Sequence, residues 1–268
     1  MITGSIVTYN TSVEELDRVM ECIRKSTIKK LYIVDNSPND SLRYYFSDCP
    51  DIVYIHNDNL GYGAGHNIAI KLAMKEGSEY HAVLNSDIYW TEDIFGEMAR
   101  YMDVHPDVGQ MMPKVFYPDG RIQYLCKMLP TPIDLLLRRF GKGKIGEKRL
   151  DRFHLKFTGY DKIINVPYLS GCFMFFRIKA LQEVGLFDER YFMYPEDVDL
   201  TRRVHRKYKT LFYPKVSIVH AHAAAHRTNW KMLKIFIVNM SKYFNKWGWI
   251  WDKERKNINK RLLESLAQ

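Results

Sequence analysis

The segment His81-Ala82-Val83-Leu84-Asn85-Ser86-Asp87 reads as a short buried strand that stops on a carboxylate. In an open α/β sheet, ligands sit beyond the carboxyl ends of strands, so Asp87 stands where a divalent cation carrying a ligand's phosphates is expected. A cap or turn is the competing explanation, because Thr91 also precedes a helical pattern. His220 closes a later strand in the same way, and a neutral imidazole is a common metal ligand. His222 and His226 add donors at a spacing that matches no zinc pattern. The run Pro195-Glu196-Asp197-Val198-Asp199-Leu200 sets three carboxylates at the start of a helix, where the dipole tolerates them. Capping accounts for one of them. The others, flanked by Phe187, Tyr191, Phe192, Met193 and Tyr194, meet a partly dry wall that raises proton affinity, which suits a general base.

Two loops complete the candidate chemistry. Asn59-Leu60-Gly61-Tyr62-Gly63-Ala64-Gly65-His66-Asn67 has glycines that admit a ligand close to the backbone, followed by a helix N-terminus with free amides. A dinucleotide fingerprint needs glycine where His66 stands, and needs it after the first strand, not the third. A dehydrogenase is therefore excluded, and a tight turn serving helix packing remains open. In Val34-Asp35-Asn36-Ser37 an acid again lies just past an apolar strand, able to accept from a nucleobase N–H. Ordinary Asx-turn chemistry explains it equally well.

The elements that must hold these groups alternate. Strands are predicted over Ile2–Thr8, 31–34, 52–55, Tyr80–Leu84 and 108–112, with helices over 13–23, 64–74 and 93–102, a parallel-sheet pattern. Pro113, Pro118, Pro130 and Pro132 then break the rhythm, and the first half closes near 115. Beyond it come an apolar stretch over 168–178, a helix over 180–184, a helix from about 195, two short strands over 210–213 and 216–220, and a helical tail from about Trp230.

The formal net charge of +9 is unevenly spread, since residues 227–268 carry ten Lys or Arg against three acids. A second basic stretch, 138–156, is interleaved with Gly141, Gly143 and Gly146 and is expected to be a mobile loop. Cys22, Cys49, Cys126 and Cys172 form no close pairs, which argues against a disulfide framework and favours a reducing cytoplasm. No apolar run suffices to span a bilayer, and no basic and apolar leader precedes the first strand. In the tail, Trp230, Leu233, Ile237, Met240, Phe244, Trp247 and Trp251 recur at helical spacing, with Lys234, Lys242 and Lys246 off the stripe. Such a face packs on the catalytic domain or on a second copy in a homodimer; it also suits peripheral contact with an anionic membrane.

Taken together, Ser5-Ile6-Val7-Thr8-Tyr9-Asn10, Val34-Asp35-Asn36-Ser37, Asn59-Leu60-Gly61-Tyr62-Gly63, Asn85-Ser86-Asp87, Gly185-Leu186-Phe187-Asp188-Glu189 and Glu196-Asp197-Val198-Asp199-Leu200 resemble family 2 glycosyltransferases, in particular rhamnosyltransferase-like ones. The resemblance implies an α/β fold of GT-A type: a Rossmann-like, mixed but mainly parallel sheet flanked by helices, with a C-terminal helical extension. It implies a nucleotide-sugar-binding half over 1–115, an acceptor-binding half over 116–226 and a basic tail over 227–268. By position, Thr8, Tyr9 and Asp35 would line the nucleoside pocket, with Asn59, Gly61 and Asn67 beside the nucleotide. Asp87 and His220 would ligate Mg²⁺ or Mn²⁺, Asp197 would be the base, and Ser170, Gly171 and Glu196 would lie on the acceptor side. Asn85 replaces the first acid of the family's D-x-D, leaving one negative charge where many relatives have two.

The activity so implied is inverting transfer of a sugar, rhamnose by resemblance, to a hydroxyl of a glycan or lipid-linked acceptor. With a nucleoside diphosphate as leaving group, only a base is required, and one displacement inverts the anomeric centre. A nucleotidyltransferase and a non-catalytic nucleotide-sugar binder share most of these parts. A nucleic-acid-binding module fits the charge of the tail but not the acids at 196, 197 and 199.

Overall fold

A computed structural model describes residues 1–140, 143–221 and 230–267. Four strands, β1 (Ile2–Thr8), β2 (Lys30–Asp35), β3 (Ile52–His56) and β4 (Tyr80–Leu84), pair in parallel in the order β3-β2-β1-β4. Helices α1 (Val13–Arg24) and α2 (Tyr62–Lys75) cross between them. Ser12 begins α1 by accepting from the Glu15 amide at 3.2 Å. The period of two in β2 is decisive: Leu31 and Ile33 bury with α1 on one face, Tyr32 and Val34 with α2 on the other.

After β5 (Ile88–Tyr89), α3 (Ile94–Asp103) and β6 (Val108–Phe116) come β7 (Cys126–Lys127), α4 (Pro132–Phe140) and α5 (Lys144–Phe153). Then follow β8 (Ile164–Asn165), β9 (Tyr168–Leu169), β10 (Phe173–Arg177), α6 (Ile178–Val184), α7 (Glu196–His205), β11 (Lys209–His220), α8 (Trp230–Trp247) and α9 (Lys253–Leu266). The nine-stranded sheet continues β4-β10-β6-β11-β5, with β8 on β11. Because β10 is antiparallel to both β4 and β6, and β11 is parallel to β6, strands β1, β2, β4, β6 and β11 all end at the same edge. Thr8, Asp35, Asn85 and His220 therefore share one rim.

Three expectations change. The basic stretch 138–156 is not a loop: α4 and α5 occupy most of it, clamped where the Arg149 Nε donates to the buried Asp134 at 2.7 Å. The two strands expected over 210–213 and 216–220 are the single strand β11, whose register on β6 shifts between Tyr213 and Ser217, around Pro214. The tail is two helices, divided at Gly248 (φ +102°).

Candidate active site

The pairing of β11 with β5 puts His220 opposite Ile88, and the Ala221 amide donates to the Asp87 carbonyl at 2.8 Å. These backbone links carry Asp87 to the end of β11, where its Oδ1 lies 3.2 Å from His220 Nε2. That Oδ1 is buried and, apart from this contact with the imidazole, accepts no hydrogen bond, which leaves it with coordinating capacity to spare. Burial raises the Asp87 carboxyl, but the His220 and Asn85 contacts outweigh it and hold it below the usual carboxylate range. His220 Nδ1 lies 2.9 Å from Gln123 Oε1, and Gln123 Nε2 donates to the His220 carbonyl at 2.7 Å. Gln123 thereby fixes the imidazole with Nε2 facing Asp87, as an outer partner of a ligating histidine does.

One carboxylate oxygen and one imidazole nitrogen, with the remaining positions left to ligand phosphates and water, fit a small divalent cation. Among the described residues no group of three or more His, Cys, Asp or Glu side chains gathers to hold a metal by itself. His222 and His226 lie outside the described residues.

A hydrogen-bonded chain leads from this pair to Asp197. Asn85 Nδ2 is 3.5 Å from His220 Nε2, and Asn85 Oδ1 accepts from the Tyr62 hydroxyl at 3.1 Å. The same hydroxyl lies 2.7 Å from the Gly171 carbonyl, and the Gly171 amide donates to Asp197 Oδ2 at 3.0 Å. A Cβ at Gly171 would stand 3.2 Å from the Asp197 Cβ, so glycine lets the two backbones meet there. Asp197 Oδ1 accepts from the Val198 amide at 2.7 Å, inside the first turn of α7, where the dipole favours a negative charge.

The three acids of α7 thus separate. Asp199 is engaged by Arg203 at 2.9 Å, Lys246 at 2.7 Å and the Trp247 indole at 2.8 Å. Glu196 is buried, its Oε2 lacks a partner, and burial followed by the Asp197 charge pushes its carboxyl well up. Tyr194, just before α7, holds φ +92°, a conformation costly for an aromatic residue and seen mostly where surroundings enforce it.

At the other end of the rim, Thr8 and Asp35 are adjacent in register and fully buried. Asp35 Oδ1 accepts from Thr8 Oγ1 and the Ser37 amide, both at 3.0 Å, and Oδ2 accepts from the Tyr54 hydroxyl at 2.7 Å. Burial, then Asp35, push the Tyr54 phenol up and keep it a donor. Tyr9 is exposed. Asn59 Oδ1 accepts from the Gly61 amide at 3.2 Å. Gly61 has φ +105°, and a Cβ there would lie 2.3 Å from the Phe192 carbonyl oxygen, to which Tyr62 N donates at 3.0 Å. The glycine loop is thus docked onto the segment before α7. Asn67 is buried, exchanging bonds of 2.9 and 3.0 Å with the Phe187 backbone and donating to Glu189 at 2.9 Å. It braces the 185–189 turn. Ser170 is half-buried beside Gly171.

Sequence reasoning did not single out Tyr62, Tyr54 or Gln123. Gln123 is 97 residues from its histidine, with no local motif to mark it.

The glycine loop, the acid beyond β4 and the carboxylates of α7 thus gather at the carboxyl edge of a mixed α/β sheet, where such sheets bind their ligands. The sequence profile described as Glycosyl transferase family 2 matches residues 5–185, more than half of the chain, and the chain belongs to that family. The match ends before Asp197 and His220. The N-acetylglucosaminyl-diphospho-decaprenol L-rhamnosyltransferase of Mycobacterium tuberculosis is 26% identical over 201 residues, 63% of this chain and 61% of that protein. Rhamnosyltransferase WbbL of Escherichia coli is 24% identical over 209 residues, 75% of this chain and 74% of its own length. This chain thus spans about three fifths of the mycobacterial relative, 61%. The crystal structure of GalNAc-T7 with UDP, GalNAc and Mn²⁺ superimposes with a TM-score of 0.60 at 15% identity, covering 82% of this chain and 43% of that one. That likeness is one of GT-A fold.

Proposed function

We propose that this protein is an inverting glycosyltransferase that moves a hexosyl group, rhamnosyl by relation to its homologues, from a nucleotide-sugar to a hydroxyl of a glycan or lipid-linked acceptor. The observation that carries the reading is the continuous chain from the Asp87–His220 pair through Asn85, Tyr62 and Gly171 to Asp197. In this reading residues 1–115 provide the donor half, with Thr8, Tyr9 and Asp35 at the base and Asn59 and Gly61 shaping the loop beside the nucleotide; Asn67 positions that loop's partner turn. Residues 116–226 provide the acceptor half, with Ser170, Gly171 and Glu196 around Asp197.

Asp87 and His220 would hold a divalent cation, Mg²⁺ or Mn²⁺, which when bound neutralises charge on the diphosphate leaving group. The Mn²⁺ and UDP of the GalNAc-T7 structure support that assignment. The acceptor oxygen attacks the anomeric carbon as its proton passes to Asp197; the bond from that carbon to the diphosphate oxygen breaks, and nucleoside diphosphate leaves. Asp197 is aimed by the Gly171 and Val198 amides, while burial and the Asp197 charge push the neighbouring Glu196 carboxyl well up and favour its neutral form. NMR of the product formed from a responsive nucleotide-sugar tests this: the expected outcome is an inverted anomer with nucleoside diphosphate released. Retained configuration would refute the single displacement, and pyrophosphate release would make the protein a nucleotidyltransferase.

A further inference from the structure

Between α8 and α9 the chain turns through Gly248-Trp249-Ile250-Trp251-Asp252, and three consecutive large apolar side chains are left in solvent there. Ile250 is 78% exposed and Trp251 92%. The turn is well anchored. The Gly248 amide donates to Phe244 O at 2.7 Å, the Trp249 indole donates to Asn245 at 2.8 Å, and its ring lies 5.2 Å from that of Phe244. Asp252 accepts from the Arg255 amide at 2.8 Å and pairs with Arg202. The buried Arg255 guanidinium donates to Trp249 O at 2.9 Å and to Gly248 O and Pro130 O at 3.3 Å each. This ties the turn beside the start of α4, whose Ile133 and Leu136 are also exposed because Asp134 is turned inward to Arg149. Next to the turn, Lys253 and Lys256 are exposed, while the neighbouring acid Glu254 is engaged by Arg202 and Arg206.

We propose that this turn docks the enzyme on an anionic lipid surface, with Trp249, Ile250 and Trp251 entering the headgroup boundary beside Ile133 and Leu136, and Lys253 and Lys256 facing the phosphates. An indole that projects clear of its surroundings, as that of Trp251 does, next to lysines, suits a soft charged boundary. Lysine is depleted from the cores of protein–protein interfaces, which favours lipid over a second protein. The proposal gives the lipid-linked branch of the transferase reading a physical route; it is measured without any sugar, so the two fail separately.

The test is flotation of the full chain with vesicles of phosphatidylcholine alone or mixed with phosphatidylglycerol, for the parent, Ile250→Ser/Trp251→Ser and Lys253→Gln/Lys256→Gln. The parent is expected to float with the anionic vesicles and to shift its indole emission to the blue. Ile250→Ser/Trp251→Ser is expected to bind about 10²-fold more weakly, since each of the two large side chains contributes about a factor of ten, at an unchanged melting temperature. Lys253→Gln/Lys256→Gln is expected to lose the preference for anionic vesicles, and it decides the matter if the first variant melts early. A parent that stays unbound, or variants that float like the parent, would overturn the proposal. So would self-association of the parent that Ile250→Ser/Trp251→Ser abolishes, because the patch would then join two copies.

Discussion

At Asp197, the amides of Val198 in α7 and of Gly171 in the turn before β10 converge on one carboxylate, so its direction is fixed before any acceptor arrives. Asp197→Asn keeps the shape and removes the proposed base; turnover is expected to fall by about 10²-fold or more while nucleotide binding is retained. Glu196 behaves in the opposite sense. Burial, then the Asp197 charge, raise its carboxyl, so folding favours the protonated form. That stabilisation is complete below the ordinary value of 4.5 and is lost as pH rises through the folded value. Glu196→Gln makes the neutral shape permanent, and urea midpoints measured at about pH 5 and about pH 8 should differ less in the variant than in the parent. Gln123→Leu removes the partner of His220 Nδ1; Mn²⁺ titration followed by melting temperature should then need about tenfold more metal. Of these residues, Asp87, Asp197 and His220 were legible in sequence because each ends or begins a patterned element. Gln123 and Tyr62 were not, because their roles arise only when distant segments are brought into hydrogen-bond range.

The elements were legible where hydrophobic period and parallel pairing agree, as in β1 to β4 with α1 and α2. They were not where tertiary packing overrides local signals. Phe153 of α5 buries against Leu129 and the tail, which stabilises a helix in a segment whose glycines and charges suggest a loop. The antiparallel insertion of β10 between β4 and β6 is invisible to a one-dimensional pattern, yet it aligns the two halves' strand ends on one rim. The glycine loop is read correctly only once its neighbour is known: Gly61 needs its positive φ and its close approach to Phe192. Gly61→Ala should therefore cost about 1–3 kcal/mol from backbone strain alone, measured as a lowered urea midpoint, with weaker nucleotide binding because the loop moves away from the 192 segment.

In the molecule as a whole, the tail packs on α7 and on the segment before it. Met240, Tyr243 and Phe244 bury against Tyr191 and Val198, and Trp247 lies under Arg202 and Arg206 at 4.0 and 4.5 Å. Of the amphipathic stripe read from the sequence, Met240 and Phe244 are buried against the chain itself and Leu233 and Trp247 are half-buried, while Trp230, Ile237 and Trp251 are exposed. Among the described residues no helix is long and apolar enough to cross a membrane. Arg202, buried in α7, pairs with Asp252 at 2.7 Å. Arg202→Met leaves Asp252 with its main partner gone and should cost about 3–5 kcal/mol, loosening α7 and the tail together in hydrogen exchange. The central claim, a nucleotide-sugar cleft built on Asp87 and His220 with Asp197 as its base, is tested most directly by melting temperatures with nucleoside diphosphates, with and without Mn²⁺. At about 100 times the Kd, a bound ligand adds about 2.7 kcal/mol to stability. The account predicts a Mn²⁺-dependent shift in the parent and in Asp197→Asn that is lost in Asp87→Asn. A nucleotide shift that Asp87→Asn leaves intact would contradict it.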